Sequence, residues 1–175
     1  MKLNYVIMKK IVCIISLIGF LFTKQNAFSQ YTNLDAESLA KQYLDLYTTM
    51  NFEKIVKYYD ETSIFEDRTT SFFNKNNTYE TIVGTDNIVE YLVNGFNKIS
   101  DINFKIENQY TVGIINYSYG MLNYKYDIGR DGNTKKIEFN LPLAIILTIK
   151  DNKIVHHQDI ADYNVWSKQY RNQTN

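Results

Sequence analysis

The chain has 175 residues, of which 45% are hydrophobic and 22% charged, so it is long enough for one domain with a sizeable core. Its 19 Lys and Arg balance 19 Asp and Glu, and no basic run is present, which argues against nucleic acid as a partner. Aromatic residues reach 15% and include fifteen tyrosines, a composition that suits a pocket or an interface as well as a core.

The first residues have the pattern of a secretory signal peptide. Two lysines in "MKKIV" precede the apolar run "IVCIISLIGFLF", and Ala27 and Ser29 occupy the small-residue positions of a cleavage site. We therefore expect residues 1–29 to be a leader that is cleaved before Gln30, with residues 30–175 as the mature domain. The run is shorter than the roughly 20 apolar residues of a membrane span, although an N-terminally anchored protein remains the alternative.

Cleavage would make the mature protein exported, periplasmic or secreted, and mildly acidic. Met8 is a second candidate for the true start. The single cysteine, Cys13, lies in the leader, so neither a disulfide framework nor a cysteine nucleophile is expected in the mature chain. Four lysines also leave with the leader, so 15 basic residues face 19 acidic ones and the net charge becomes −4. No stable membrane anchor is expected after cleavage.

Helices dominate the first half of the predicted domain. "DAESLAKQYLDLYTTM", "NFEKIVKYYD" and "GTDNIVEYLVNGFNKI" carry apolar residues at helical spacing, and Thr85 or Asp86 is expected to cap the third helix. "SIFEDR" alternates as a short strand with Phe65 and Asp67 on one face. The polar run "TTSFFNKNNTYET" predicts a loop.

After residue 101 the pattern changes to the period of two that is typical of strands. "INFKIENQYTVG", "INYSYGMLNYKYDI", "KIEFNLPLAIILTIK" and "KIVHHQDI" predict antiparallel strands, and "DYNVWSKQYR" predicts a short closing helix. Every odd position from 137 to 149 is apolar, which indicates one buried face. Pro142 ordinarily favours an edge strand or a bulge. The predicted fold is α+β: a curved antiparallel sheet, closed like a cone, covered by about three N-terminal helices.

Several local motifs resemble the SnoaL-like group of the nuclear-transport-factor-2-like superfamily. They are "QYLDLY", "IVKYY", "IFED", "GTDNI" and, most specifically, "DNKIVHHQDIADYNVW", which is similar to the family ending "D-G-K-I-x-x-H-x-D-Y-x-D". His157, Asp159 and Asp162 occupy the matching positions, whereas Ile160 and Asn152 depart from the pattern. The resemblance covers nearly all of residues 34–172.

The resemblance implies a cone-shaped fold with an internal cavity, and it is compatible with several reactions. The family includes cyclases, isomerases, dehydratases and epoxide hydrolases, besides members with no known activity. It commonly pairs through the outer face of the sheet, so a homodimer is expected, and the odd-position apolar stripe of residues 137–149 would fit such a surface. Export argues against a biosynthetic cyclase, because the substrates of such enzymes are usually cytosolic.

Three acid–base residues are the candidates for catalysis. Two residues apart on a strand, His157 and Asp159 share a face, and the resemblance places Asp67 in the same cavity. A carboxylate among aromatic walls has a raised pKa and can remove a proton next to a carbonyl, while histidine or tyrosine donors stabilise the enolate oxygen. The remaining candidates are expected to bind the ligand: Tyr43, Tyr47, Tyr59, Asp162 and Trp166.

Each candidate also has a structural interpretation that the sequence leaves open. Asp159 could anchor loop or helix amides, and His157 could be a packed core histidine. Asp162 is well placed to cap the last helix. The candidate tyrosines and Trp166 have the spacing of core residues, and Asp67 could belong to a surface ion pair with its neighbours.

A metal site is not expected, because adjacent histidines on a strand point in opposite directions. No phosphate-binding loop or serine nucleophile motif is present, and no cofactor is expected. The function expected is an exported SnoaL-like domain that holds a small, partly apolar molecule, with acid–base chemistry of the cyclase, isomerase or dehydratase type. A non-catalytic ligand-binding module and a dimeric interaction protein are the alternatives.

Overall fold

A computed structural model describes residues 35–73, 76, 78–130 and 132–175. The predicted leader, both candidate start residues and Cys13 lie outside the described residues. The helices are α1 (residues 35–48), α2 (Phe52–Ile55), α3 (Thr85–Phe96) and α4 (Tyr163–Thr174), with 3-10 helices at Val56–Tyr58 and Arg68–Phe73. The strands are β1 (Ile64–Asp67), β2 (Glu80–Val83), β3 (Ile99–Val112), β4 (Ile115–Asp127), β5 (Lys136–Lys150) and β6 (Lys153–Ala161).

The described strands form one six-stranded sheet in the order β2-β1-β6-β5-β4-β3. All neighbouring pairs are antiparallel except β1 and β6, which run parallel. The predicted α+β cone is confirmed, with this parallel pair as a departure from a purely antiparallel sheet. The polar run "TTSFFNKNNTYET" is not only the loop that was predicted, because it contains most of a 3-10 helix and the first residues of β2.

Strand β5 supplies much of the concave face, as its alternation predicts. Its odd-numbered side chains from Ile137 to Ile149 are buried, and its even-numbered ones are more exposed. The odd stripe therefore packs under the helices, and the expectation that it forms the outer surface is wrong. Pro142 lies in a central strand without a bulge towards β4. It is tolerated because β6 pairs with β5 only from Leu143 onward, just past the proline.

Helices α1, α2 and α3 cover one half of the concave face. Tyr43 and Leu44 of α1 pack there with Ile55 of α2 and with Ile88 and Leu92 of α3. Burial of such side chains, at about 25 cal/mol per Å² of apolar surface, is the main force that holds these short helices on the sheet.

Helix α3 begins differently from the prediction. Gly84, at φ 88°, is the residue that precedes the helix, and neither predicted residue provides a side-chain cap. A positive φ is easily adopted only by glycine, so the backbone turn takes the place of a capping side chain here.

Helix α4 covers the other half of the concave face. Trp166 stacks on Phe139 with ring centroids 5.1 Å apart. Two side-chain amides of α4 also pair with the backbone of β5 beyond the end of β6. Gln169 accepts from the Asn140 N–H at 2.9 Å and donates to its carbonyl at 2.7 Å, and Gln173 makes the same two bonds to Glu138. Among the described helices, none is both long and apolar enough to cross a membrane.

Candidate functional site

The parallel pairing of β1 and β6 brings the candidate acid–base residues together. Phe65 is the register partner of His157, and Asp67 is the register partner of Asp159. Because side chains alternate along a strand, all four point to the concave face. The sequence pattern of each strand fixes which residues share a face, and the pairing then sets two carboxylates side by side.

A fully buried hydrogen-bond network connects α1 to β6. The Tyr59 hydroxyl contacts the Tyr43 hydroxyl, which donates to Nδ1 of His157 at 2.6 Å. Nε2 of His157 donates to Oδ1 of Asp159 at 2.8 Å, and the Tyr47 hydroxyl donates to Oδ2 of Asp159 at 2.5 Å. An imidazole that carries a proton on Nε2 satisfies the contact with Asp159. His157 is completely buried.

The tyrosine hydroxyls of the site keep their protons. Burial, followed by neighbouring Tyr59, Tyr47 and Asp159, raises the pKa of Tyr43 well above 10.0. Burial and then Asp159 do the same to the pKa of Tyr47. Burial raises the pKa of Tyr91 to about 12. These hydroxyls are therefore neutral donors across the physiological pH range.

Among the described residues, the hydrogen-bond donors to Asp67 are all neutral. Its Oδ1 accepts from the Thr69 N–H at 3.1 Å and the Thr69 hydroxyl at 2.7 Å, and its Oδ2 accepts from the Tyr163 hydroxyl at 2.9 Å. Burial raises the pKa of Asp67, and the charge of Asp159 raises it further. Arg68 does not compensate this charge, because its guanidinium lies 3.0 Å from Glu66. The surface ion pair considered for Asp67 therefore forms between Glu66 and Arg68 instead, and Asp67 faces inward.

A cavity of about 700 Å³ opens above these carboxylates. Asp67, Asp159 and the rings of Tyr47, Tyr91 and Tyr163 lie in its wall. The rest of the wall is mainly apolar, with Phe65, Ile82, Phe96, Phe104, Leu122 and Leu143 among its residues. This volume lies in the range of small-molecule sites, which are largely apolar with a few convergent polar groups.

The sequence candidates divide into three groups in the structure. Asp67, Asp159 and Tyr47 line the cavity. His157, Tyr43 and Tyr59 are buried behind Asp159, where they support it rather than reach the cavity wall. Asp162 and Trp166 lie outside the wall.

The two residues outside the wall have structural contacts. Asp162 caps α4, since its Oδ1 accepts from the N–H groups of Asn164 and Val165 at 3.0 and 3.2 Å. Trp166 belongs to the aromatic cluster with Phe139 and Tyr170. Both positions match the structural interpretation that the sequence left open.

Sequence reasoning missed three tyrosines of the cavity, one of which, Tyr124, lies on β4. Tyr91 projects from α3 and Tyr163 from the first residue of α4. The one available signal was the position of Tyr163 directly after the motif residue Asp162. Nothing in a helical aromatic pattern distinguishes a cavity tyrosine such as Tyr91 from a core residue.

The adjacent histidines point to opposite faces of β6. Nε2 of His156 lies 3.1 Å from Glu66 on the outer face, whereas His157 faces inward. Among the described residues, no three His, Cys, Asp or Glu side chains are grouped as metal ligands would be. The arrangement can bind a small molecule and exchange protons with it through carboxylates.

Comparison with known proteins decides the family. A family model described as the SnoaL-like domain matches residues 40–157. The chain belongs to the SnoaL-like family. A Shewanella putrefaciens protein designated a SnoaL-like polyketide cyclase is 24% identical, with a TM-score of 0.66 over 79% of this chain and 97% of that one. A Shewanella denitrificans protein with the same designation is 23% identical, with a TM-score of 0.66 over 79% and 98%.

The SnoaL-like fold also extends to proteins of other designations. An epoxide hydrolase from M. tuberculosis is 12% identical, with a TM-score of 0.60 over 81% of this chain and 92% of that one. Identities at this level establish the shared nuclear-transport-factor-2-like fold, and they assign no reaction to this SnoaL-like chain. No curated protein matches it significantly.

Proposed function

We propose that this SnoaL-like domain binds a small, partly apolar molecule in its cavity and exchanges a proton with it through the Asp67–Asp159 pair. The observation that carries the proposal is the placement of two carboxylates as register partners at the polar end of a largely apolar cavity. Burial and the neighbouring charge raise the pKa of Asp67, which brings it closer to the range in which a carboxyl is a useful acid or base at neutral pH.

The roles within the pair follow from their hydrogen bonds. Asp159 is fixed by His157 and Tyr47, so its position is defined before a ligand binds. Asp67 is the carboxyl that exchanges the proton, and His157 acts as a positioning residue. Tyr91 supplies a protonated hydroxyl in the same wall, suited to a developing oxyanion. Abstraction of a proton next to a carbonyl, as in cyclases and isomerases, is the reaction type that this set of groups supports.

The experiment is deuterium uptake from D2O into α-tetralone, an apolar cyclic ketone, followed by proton NMR. The protein is expected to accelerate exchange at the carbon next to the carbonyl. Asp67→Asn and Asp159→Asn are expected to lower the rate by about 10²–10⁴-fold, the usual contribution of a general base. Asp45→Asn, an exposed carboxylate of α1, is the matched control and should leave the rate unchanged.

The outcomes separate enzyme from binding module. If α-tetralone binds without faster exchange than in buffer, the catalytic part of the proposal fails and a non-catalytic ligand-binding protein is the better description. If it neither binds nor exchanges, the proposed function fails for this ligand class. Export of the protein also remains a proposal, which N-terminal sequencing of material recovered from the producing cells would test by finding Gln30 first.

We also propose a homodimer through the outer face of the sheet. Exposed apolar side chains cross β3 and β4 there, with Tyr110 opposite Tyr117 and Val112 opposite Ile115. Val112 is 77% exposed. None of the four is charged, so the patch can face its own copy across a two-fold axis without like-charge repulsion.

Light scattering after size exclusion tests this second proposal. Wild-type protein is expected to be a dimer, and Val112→Lys combined with Tyr117→Lys is expected to give a monomer. Val93→Lys is the matched control, because Val93 is 49% exposed on α3, away from this face. A monomeric wild type, or a dimer unaffected by the double substitution, would contradict it.

A further inference from the structure

The charge of the cavity wall has a single sign. Its charged side chains among the described residues are Asp67, Asp159 and Glu90, and no Lys or Arg lines it. Glu90 is exposed at the α3 side of the opening, and the two aspartates lie deeper. A ligand therefore meets negative charge at the entrance and again at the polar end.

Among the described residues, no Lys or Arg side chain contacts either aspartate. Asp67 accepts from Thr69 and Tyr163, and Asp159 accepts from Tyr47 and from the buried His157. Neutral donors orient a carboxylate but leave its charge unbalanced. Two such groups side by side in a desolvated wall favour a bound positive charge and disfavour an anion.

Aromatic rings surround the same space. Phe65, Tyr91, Phe96, Phe104 and Tyr124 line the cavity. The negative faces of such rings attract an ammonium group, and they pack equally well against an apolar body.

We propose that the ligand of this cavity is an apolar amine, whose protonated nitrogen lies between Asp67 and Asp159. The inference rests on the proposed function, since it presumes a small molecule in the cavity, and it adds the charge of that molecule. The ammonium N–H donates to one carboxylate and its charge balances the pair, while the apolar part contacts the wall of β3, β4 and β5. Glu90 attracts the cation to the opening.

Three probes of similar size and different charge test the inference. They are benzyldimethylamine, which is cationic at neutral pH, its uncharged isostere isobutylbenzene, and the anion phenylacetate, each titrated into the purified protein by calorimetry. We expect the amine to bind and phenylacetate not to bind. Asp67→Asn and Asp159→Asn should each weaken the amine by about tenfold or more, while isobutylbenzene changes by less than about threefold.

Matched variants keep the test decisive. Asp45→Asn removes one carboxylate outside the wall and should change neither affinity, and circular dichroism identifies any variant that does not fold. Glu90→Gln, at an exposed position, should slow association of the amine by about two- to threefold without affecting the fold. Loss of amine binding in this set, with isobutylbenzene retained, supports the inference.

Each contrary result has its own meaning. If isobutylbenzene or phenylacetate binds and the amine does not, the inference is overturned while the cavity remains a binding site. Amine affinity that is equal in wild type, Asp67→Asn and Asp159→Asn also overturns it. If none of the three probes binds at millimolar concentration, both the inference and the proposed binding function fail.

Discussion

The two ends of the concave face belong to one sheet but differ in chemistry. Beneath α4, the Phe139 ring stacks on Trp166 and on Tyr124. The apolar side chains of Ile137 and Leu141 belong to the same cluster. At the β1–β6 end, a histidine and two carboxylates lie behind or within the cavity wall. One end is an ordinary core, whereas the other buries charge where apolar residues would fit the same pattern.

The difference indicates what each end is for. Replacing a buried polar network by apolar residues of similar volume is often neutral or stabilising, so we expect that the fold does not need the network around His157 for its stability. It is fully hydrogen-bonded and adjoins the cavity, as a site that needs fixed polar groups would be. At the aromatic end, Phe139 and Trp166 lie outside the cavity wall and close the fold, although Tyr124 and Leu141 beside them reach that wall.

The largest expected effect is at the polar end. Asp159→Ala leaves His157 Nε2 and the Tyr47 hydroxyl buried without an acceptor, and each such group costs about 1–3 kcal/mol, so the free energy of unfolding should fall by about 3–5 kcal/mol in urea denaturation. The combined variant His157→Leu, Asp159→Leu and Tyr47→Phe should recover most of this loss. A combined variant no more stable than Asp159→Ala would refute the view that this network serves the site rather than the fold.

The next effect is at the aromatic end. Trp166→Ala removes a half-buried ring stacked on Phe139, and the free energy of unfolding should fall by about 2–4 kcal/mol. Because Trp166 lies outside the cavity wall, the affinity for a cavity ligand should not change. A ligand affinity that falls with Trp166→Ala would show that the two ends are coupled.

Loss of the cap of α4 should have a smaller effect. Asp162→Ala removes the acceptor for the first N–H groups of the helix, which is expected to lower stability by about 1 kcal/mol. Asp162→Asn keeps a side-chain oxygen and should retain most of that stability. An equal loss in both variants would mean that the charge of Asp162, rather than the cap, is what stabilises α4.

The smallest effect is a pH dependence that originates at Asp67. Its pKa is raised in the folded state from the ordinary 3.8, so above that pH the native state holds more of this proton than the unfolded state does. The contribution of Asp67 to stability therefore falls as pH rises from about 4 through its folded pKa. Carboxylates with lowered pKa, such as Glu66 and Asp127, have the opposite slope.

Comparison of a variant with wild type isolates the contribution of Asp67 to the pH dependence of stability. The free energy of unfolding of Asp67→Asn minus that of wild type should increase between about pH 4 and pH 7, as urea titrations at several pH values would measure. Asp45→Asn provides the reference difference. A difference for Asp67→Asn that does not change with pH would contradict the raised pKa.

The sequence predicts most of the fold but only part of the site. The alternation of β5 and the two-residue spacing of His157 and Asp159 set which side chains share a face, and the structure keeps both. The parallel pairing of β1 with β6 has no local signal, because it joins segments some 90 residues apart. That pairing, and the orientation of Tyr91 and Tyr163, depends on tertiary packing.

The two glutamines of α4 have a consequence for self-association. Gln169 and Gln173 are four residues apart on a helix, and the backbone groups of Asn140 and Glu138 are two residues apart on a strand. The distance along the helix between the two amides therefore matches the distance along the strand between their backbone partners. Helix α4 thus occupies the hydrogen-bonding edge that β6 leaves open. Without it, the first half of β5 would present unpaired N–H and C=O groups beside apolar side chains, a template on which strands of other copies could add.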